Sequence, residues 1–226
     1  MTEVGGTVTV TETLRWLYEE GLQRLAGVGA RQSNPIAAYT VSVATGTVTV
    51  HPATGGGGGS DAITLSAEDL PHPADSSRRL VVVGITSAEA ALVVDLETTL
   101  GMAINADRPE CAARSWAMQL MLNPEITLTT NSAATAIGGS DRYRHTFIPG
   151  GGATLINIDD ARPPITTVTL NPTAESPDRL DVEADGSGEC YLGTRFWRLR
   201  KVMTIDDTTW SALSATLDPR LAEDNS

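Results

Sequence analysis

GMAINADRPECAARSWAMQLMLN, residues 101–123, is the stretch on which the fold turns. Gly101–Ala106 predicts a short strand that runs straight into Asp107, a residue type suited to a helix N-cap, with Pro109 in the first turn. The helix after it extends to Asn123-Pro124. It is apolar nearly all round (Ala112, Trp116, Met118, Leu120, Leu122), which is the pattern of a buried helix. Strand, N-capped buried helix and strand together predict an α/β unit.

Upstream of this unit, Arg79–Thr86 (RLVVVGIT) and Ala91–Leu96 (ALVVDL) predict two strands joined by a tight connection at Ser87–Ala90. Downstream, strands are expected at Glu125–Thr130, Arg144–Ile148, Ala153–Ile158, Thr166–Leu170, Leu180–Ala184 and Glu189–Val202. Asp207–Leu217 predicts a closing helix with Trp210, Leu213 and Leu217 on one face. The tail is therefore β-rich, and the fold class is mixed α/β.

Residues 1–54 form a segment of another character. Leu14, Leu17, Tyr18, Leu22 and Leu25 follow helical spacing and predict an amphipathic helix over about 11–27, ended by Gly27 and Gly29. Tyr39, Val41 and Val43, then Val48 and Val50, alternate with Thr and Ser around a turn at Thr45-Gly46, which predicts a β-hairpin. A helix and one hairpin bury too little to stand alone, so this piece must pack on the remainder of the chain. Between it and residues 61–226 lies GGGGGS, residues 55–60, a flexible coil that also reads as an engineered replacement for a native loop; a natural Gly-rich loop tip is the alternative.

Composition excludes several classes. The chain has 226 residues, 41% of them apolar, enough to bury a core without disulfides or metals. No window approaches a membrane span, and MTEVGGTVTV lacks a basic start followed by an apolar run, so no secretory signal is expected. The two cysteines, Cys111 and Cys190, make no disulfide framework or zinc motif. Sixteen basic residues against 28 acidic give a net charge of −12, which argues against binding a phosphate backbone. Fifteen of the basic residues are arginine and Lys201 is the only lysine, while threonine reaches 29 residues, a bias toward strands. The arginine skew points to a GC-rich genome.

Three segments carry a resemblance. LRWLYEEGLQRLAGVGARQSNPIAAYTVSVATGTVTVHPAT (14–54), LVVVGITSAEAALVVDLETTLGMAINADRPECAARSWAMQLML (80–122) and DRLDVEADGSGECYLGTRFWRLRKVMTIDDTTWSALSATLD (178–218) resemble a cytoplasmic region of large actinobacterial membrane proteins with LysM or bacterial-transcriptional-activation domains. The strand–loop–helix layout is also similar to the core of FtsK-type P-loop ATPases. That comparison implies a phosphate loop with glycines, a lysine on the phosphates and a Ser/Thr on magnesium. The loop here, Ile104-Asn105-Ala106-Asp107-Arg108-Pro109-Glu110-Cys111, has no glycine and no lysine. Asp107 and Glu110 would repel a triphosphate, Asp107 as N-cap would occupy the amides, and Arg108 and Arg114 are the only nearby cations. The implied P-loop core is therefore degenerate and should not bind or hydrolyse ATP or GTP.

Other constellations have simpler structural readings. Leu155-Ile156-Asn157-Ile158-Asp159-Asp160 has the form of a Walker B strand, but a strand ending in a solvated acidic turn, reinforced by Arg162-Pro163-Pro164, explains it. Gly138-Gly139 and Gly150-Gly151-Gly152 read as turns rather than phosphate loops. His51, His72 and His145 lie far apart without metal-ligand spacing. Cys111, near a helix N-terminus, could have a lowered pKa, but a small core residue is the simpler role. Arg195-Phe196-Trp197-Arg198-Leu199-Arg200-Lys201 could stack on single-stranded nucleic acid. A strand with inward-packed aromatics and acid-paired arginines explains it without a ligand and is the reading the −12 charge favours, and the patch is the best candidate surface for an acidic partner or lipid headgroup.

The expectation is thus a non-enzymatic regulatory or protein-interaction domain in the cytoplasm, the soluble part of a larger membrane-associated protein. It has no catalytic, cofactor or metal residues, no cofactor, no nucleic-acid partner and no membrane insertion. A P-loop-type nucleotide-binding ATPase and a structural subunit of a phage or secretion assembly are the competing classes.

Overall fold

Apolar runs and alternating segments build two units, residues 1–98 and 99–226. The computed structural model describes residues 8–53, 62–73, 78–149, 152–159 and 164–217. The GGGGGS segment lies outside the described residues. The fold is mixed α/β: two largely sheet-built units with few helices.

In the first unit a continuous helical segment runs through α1 (Val10–Trp16), a π turn (Leu17–Gly21) and α2 (Leu22–Arg31). Thr9 caps it, its hydroxyl accepting from Glu12 N while Glu12 accepts from Thr9 N. The π turn fits one extra residue into the helix and so rotates the later turns. Thr13, Leu17, Gly21 and Leu25 are buried in consequence, followed by Ala26, Val28 and Gly29, while Tyr18 is exposed. Gly27 and Gly29 do not end the helix, contrary to the sequence expectation. They sit inside α2 because their neighbours come too close for a side chain: a Cβ on Gly27 would lie 2.9 Å from Pro71 Cγ, and one on Gly29 2.8 Å from the Tyr39 hydroxyl oxygen.

Five antiparallel strands form this unit's sheet, β1 (Ile36–Ser42), β2 (Val48–Pro52), β3 (Ile63–Leu65), β4 (Leu80–Thr86) and β5 (Ala90–Asp95), in the order β3-β2-β1-β5-β4. The helix-and-hairpin segment and the strands after residue 61 therefore build one sheet, and the division of the chain falls at Thr98/Thr99. β4 is buried at every position, as its unbroken apolar run requires. Asp95, fully buried at the end of β5, is neutralised by Arg78 at 2.8 Å and also accepts from Glu97 N.

The second unit is organised on β6 (Gly101–Asn105) and α3 (Pro109–Met121). Its remaining strands are β7 (Leu128–Thr130), β8 (Tyr143–His145), β9 (Thr154–Ile158), β10 (Thr166–Leu170), β11 (Arg179–Val182), β12 (Gly188–Leu192) and β13 (Arg195–Val202), with α4 (Asp207–Leu217) last. The strand order is β13-β12-β11-β6-β10-β9-β7-β8, and β6 lies parallel to both β10 and β11. β7 and β8 are also parallel; the other pairs are antiparallel. Alternation sends Leu180, Cys190, Met102, Ile104, Val168, Ile156 and Leu128 into the core, where α3 adds Trp116, Ala112, Ala113 and Leu120.

Three expected strands differ in the structure, Arg144–Ile148 being shortened to Tyr143–His145. The run Glu189–Val202 is a hairpin rather than one strand, because Gly193 takes a positive φ of 58° that turns the chain between Leu192 and Arg195. The run from Glu125 starts pairing only at Leu128, because Asn123 receives the N–H groups of Glu125 and Ile126 in a turn.

Candidate functional site

The ends of parallel strands are where open α/β sheets place ligands. Here that place is the junction of β6 and α3, and its polar groups are met from within the chain. Asn105 donates through Nδ2 to Asp181 at 2.7 Å. Asn171, held at φ 44°, clasps Ala106 from both sides: its Oδ1 accepts from Ala106 N and its Nδ2 donates to Ala106 O. The residue preceding α3 is Arg108, with no side-chain cap, so Asp107 is not the N-cap that its residue type suggested. Pro109 does occupy the first turn. Arg108 and Arg114 converge on one carboxylate, Asp207 at the start of α4, at 2.5 and 2.6 Å. Arg108 also reaches Glu110, and Arg114, almost wholly buried, donates through Nε to Ala134 O and lies 5.6 Å from the Trp210 ring. Both arginines hold the Asp207 carboxyl below the usual aspartate range, Arg114 foremost.

Cys111 lies beside these arginines, but burial outweighs them and pushes its thiol up rather than down. The lowered pKa that its position near a helix start could have produced is absent. Cys190, fully buried, is pushed up further by the same cause. Among the described residues no group of three His, Cys, Asp or Glu side chains is placed to hold a metal ion.

Strand direction decides the acidic pair after β9. β9 is antiparallel to β10, and β10 is parallel to β6, so Asp159 lies at the opposite end of the sheet from the β6–α3 junction. A magnesium-binding carboxylate would have to share the phosphate end. Asp159 instead turns the chain at φ 52°, with its N–H on Thr127 O and its Oδ1 near Thr127 N. Asp160 and Gly150-Gly151 lie outside the described residues. On β13, Phe196 and Arg198 are exposed and Leu199 is buried. Phe196 does not pack inward as expected; it stacks on Tyr191 at 6.0 Å, and Tyr191 carries the Arg179 guanidinium 3.9 Å over its ring. Arg198 pairs with Glu189 at 3.4 Å.

The second unit opens elsewhere, along β8. A groove of about 1060 Å³ is lined by Thr129, Gly138, Gly139, Tyr143, His145, Phe147 and neighbouring residues. In a parallel ladder alternate residues serve a given neighbour. Leu128 N donates to Arg142 O and Thr146 N to Thr130 O, so Arg142, Arg144 and Thr146 face β7, while Tyr143 and His145 turn their peptide groups outward. Ser140 Oγ takes the Tyr143 N–H. Among the described residues no strand lies along this outer side, so the peptide groups of His145 have no ladder partner. Thr129 Oγ1, buried on the sheet face it shares with Arg144 and Asn157, makes no hydrogen bond of ordinary geometry, while Tyr143 lies on the opposite, core face with Leu128 and its buried hydroxyl lies beside Thr135. Burial drives the Tyr143 phenol far above its ordinary pKa, and Thr135 and the Arg114 charge offset only part of that rise.

Sequence reasoning brought Arg108, Arg114 and Asp107 to one loop but missed Asp207, Asn171 and the whole β8 groove. Gly138-Gly139 was the one signal within the groove, and it reads as a turn. No protein-family model matches the chain, and no curated protein or solved structure matches it.

Proposed function

We propose that this chain is a non-enzymatic protein-interaction or regulatory domain. The observation that carries this reading is the outer edge of β8, along which no strand lies among the described residues and which borders a groove. A sheet edge with free peptide groups is a docking template for another chain. The β6–α3 junction supports the same reading from the other side. Its strand–loop–helix layout and parallel neighbours favour a P-loop-like core, while Asp207 and Asn171 fill the positions that phosphate would need, so the phosphate loop is degenerate.

The cytoplasmic setting, as the soluble part of a larger membrane-associated protein, rests on the sequence resemblance. Among the described residues no helix is long and apolar enough to cross a membrane, which agrees with a fragment that does not insert through a helix.

Affinity capture from an actinobacterial lysate, run beside the edge-blocked variant His145→Pro, tests the reading. A partner retained by the native chain and lost on His145→Pro is expected. Saturable Mg-ATP binding in calorimetry, weakened by Arg108→Ala, would instead establish a nucleotide enzyme. Large homo-oligomers in light scattering would establish a structural subunit.

A further inference from the structure

We propose that α4 is a detachable strap. It closes over the Arg108–Arg114 pair, is latched there by Asp207, and opens while the rest of its unit stays folded.

The residues of α4 make a weak helix. Asp207–Leu217 spans 11 residues, DTTWSALSATL, of which three are threonine and two are serine. An isolated helix of this length is marginal in water even when built from strong helix formers, and Thr and Ser rank below those. No charged residue follows Asp207 within α4, so no ion pair along its own surface supports it. The helix depends on what holds it from outside.

That hold is narrow and lies at one end. Trp210 is the one buried residue of α4; Leu213 and Ser214 are half-buried and the others are exposed. Ser214 Oγ is shielded from water without a hydrogen-bond partner, which weakens the seat. The fastenings gather around the first turn and run to α3. Ile205 N, just before the helix, donates to Cys111 O at 2.9 Å. Asp207 takes Arg108 at 2.5 Å and Arg114 at 2.6 Å, and the Arg114 guanidinium lies 5.6 Å from the Trp210 ring. Asp206 serves the strap itself, accepting from Thr209 N. Arg114 is also held by Ala134 O, so it keeps its place when α4 leaves.

Local opening requires that few buried apolar contacts be lost, and α4 has one buried side chain to lose. Charge therefore latches it. The Asp207 side chain is 61% exposed, so salt reaches the latch directly. Opening turns Arg108, Arg114 and Trp210 toward solvent beside the end of β6; the closed strap withholds all three. No residue of β8 takes part, so the strap stands or falls independently of docking at that edge.

Hydrogen exchange of the full chain, read by mass spectrometry, tests the strap. In the native chain the α4 amides should exchange well before those of α3, yet more slowly than an unstructured peptide. Asp207→Asn should speed α4 about tenfold, the size of a lost charge-assisted bond reduced by exposure, and leave residues 112–120 unchanged. Sodium chloride at about 1 M should speed α4 in the native chain and add little to Asp207→Asn. Arg108→Ala changes no residue of α4 and removes an exposed side chain, so it separates the latch from the effect of a carboxylate on its own helix. It should speed α4 severalfold. Exchange of α4 and α3 at one common rate would overturn the strap, as would an α4 without protection in the native chain. Acceleration by Asp207→Asn but not by Arg108→Ala would overturn the latch, and equal acceleration of α3 would show that Asp207 serves global stability alone.

Discussion

The β6–α3 junction and the β8 edge belong to the same unit and draw on similar side chains, arginine, aspartate, threonine and asparagine, yet their polar groups end differently. At the junction each charge has its counterpart: Arg108 and Arg114 share Asp207, Asn105 meets Asp181, and Asn171 closes on Ala106. At the edge the peptide groups of His145 meet no strand among the described residues, and the buried Thr129 hydroxyl makes no hydrogen bond there. The junction is thus a solved electrostatic problem that serves stability, and the edge keeps hydrogen-bonding capacity in reserve. An anion arriving at the junction must displace an internal carboxylate, whereas a strand arriving at the edge displaces only water.

The largest expected effect compares two arginines. Arg114→Ala removes a buried stem, the bond to Ala134 O and the Asp207 pair, and should cost about 2–3 kcal/mol in chemical denaturation, the low end for a broken buried pair because Asp207 itself is solvent-facing. Arg144→Ala, an exposed edge substitution, should stay within about 0.5 kcal/mol. Equal losses at the two positions would break the contrast.

A sharper test uses adjacent threonines of β7. Thr130 donates to Leu155 O at 2.9 Å and accepts from Ser132 N, so Thr130→Val should cost about 1–2 kcal/mol. Thr129 next to it has an unmet hydroxyl, and Thr129→Val should stabilise by up to about 1 kcal/mol. Thermal melts of the two valine variants should therefore move in opposite directions; shifts of the same sign would mean that Thr129 is already satisfied.

The smallest effect is on pH dependence. Asp207 is held below the usual aspartate pKa, first by the Arg114 hydrogen bond and then by Arg108. A depressed folded-state pKa contributes stability that is present above the unfolded value and is lost as pH falls through the folded one. Asp207→Asn should melt below the native chain at neutral pH, and the gap should close below about pH 4. High salt should narrow it at every pH, since Asp207 is exposed. A gap that persists in strong acid would show that Asp207 acts through packing instead of charge.

Much of the chain was legible without coordinates. The strand at Gly101, the helix begun by Pro109 and its buried Trp116 follow from local periodicity and from proline's fixed φ, both properties of neighbouring residues. The hairpin of β1 and β2 and the buried runs of β4 and β5 were readable for the same reason. Where tertiary contact overrode local preference, the expectation failed. Gly27 and Gly29 look like helix breakers until Pro71 and Tyr39 take the space of their missing side chains. Asp107 looks like a cap until Asn171, more than sixty residues on, clasps the loop at Ala106.

The sequence by itself determined most of the strands and helices, though not β3 or the break between β12 and β13, because side-chain alternation and helical spacing are short-range. It determined neither the order nor the direction of the strands. Asp159 could be placed away from the phosphate end only after β9 was seen to run against β10. β8 became an open edge only because twelve other residues loop out before it pairs with β7. Thr129 and Thr130 are the same residue type side by side, and only their positions in the folded sheet leave one hydroxyl met and the other waiting. Pairing between distant segments is chosen by the free energy of the assembled core, and no local stretch of chain carries that sum.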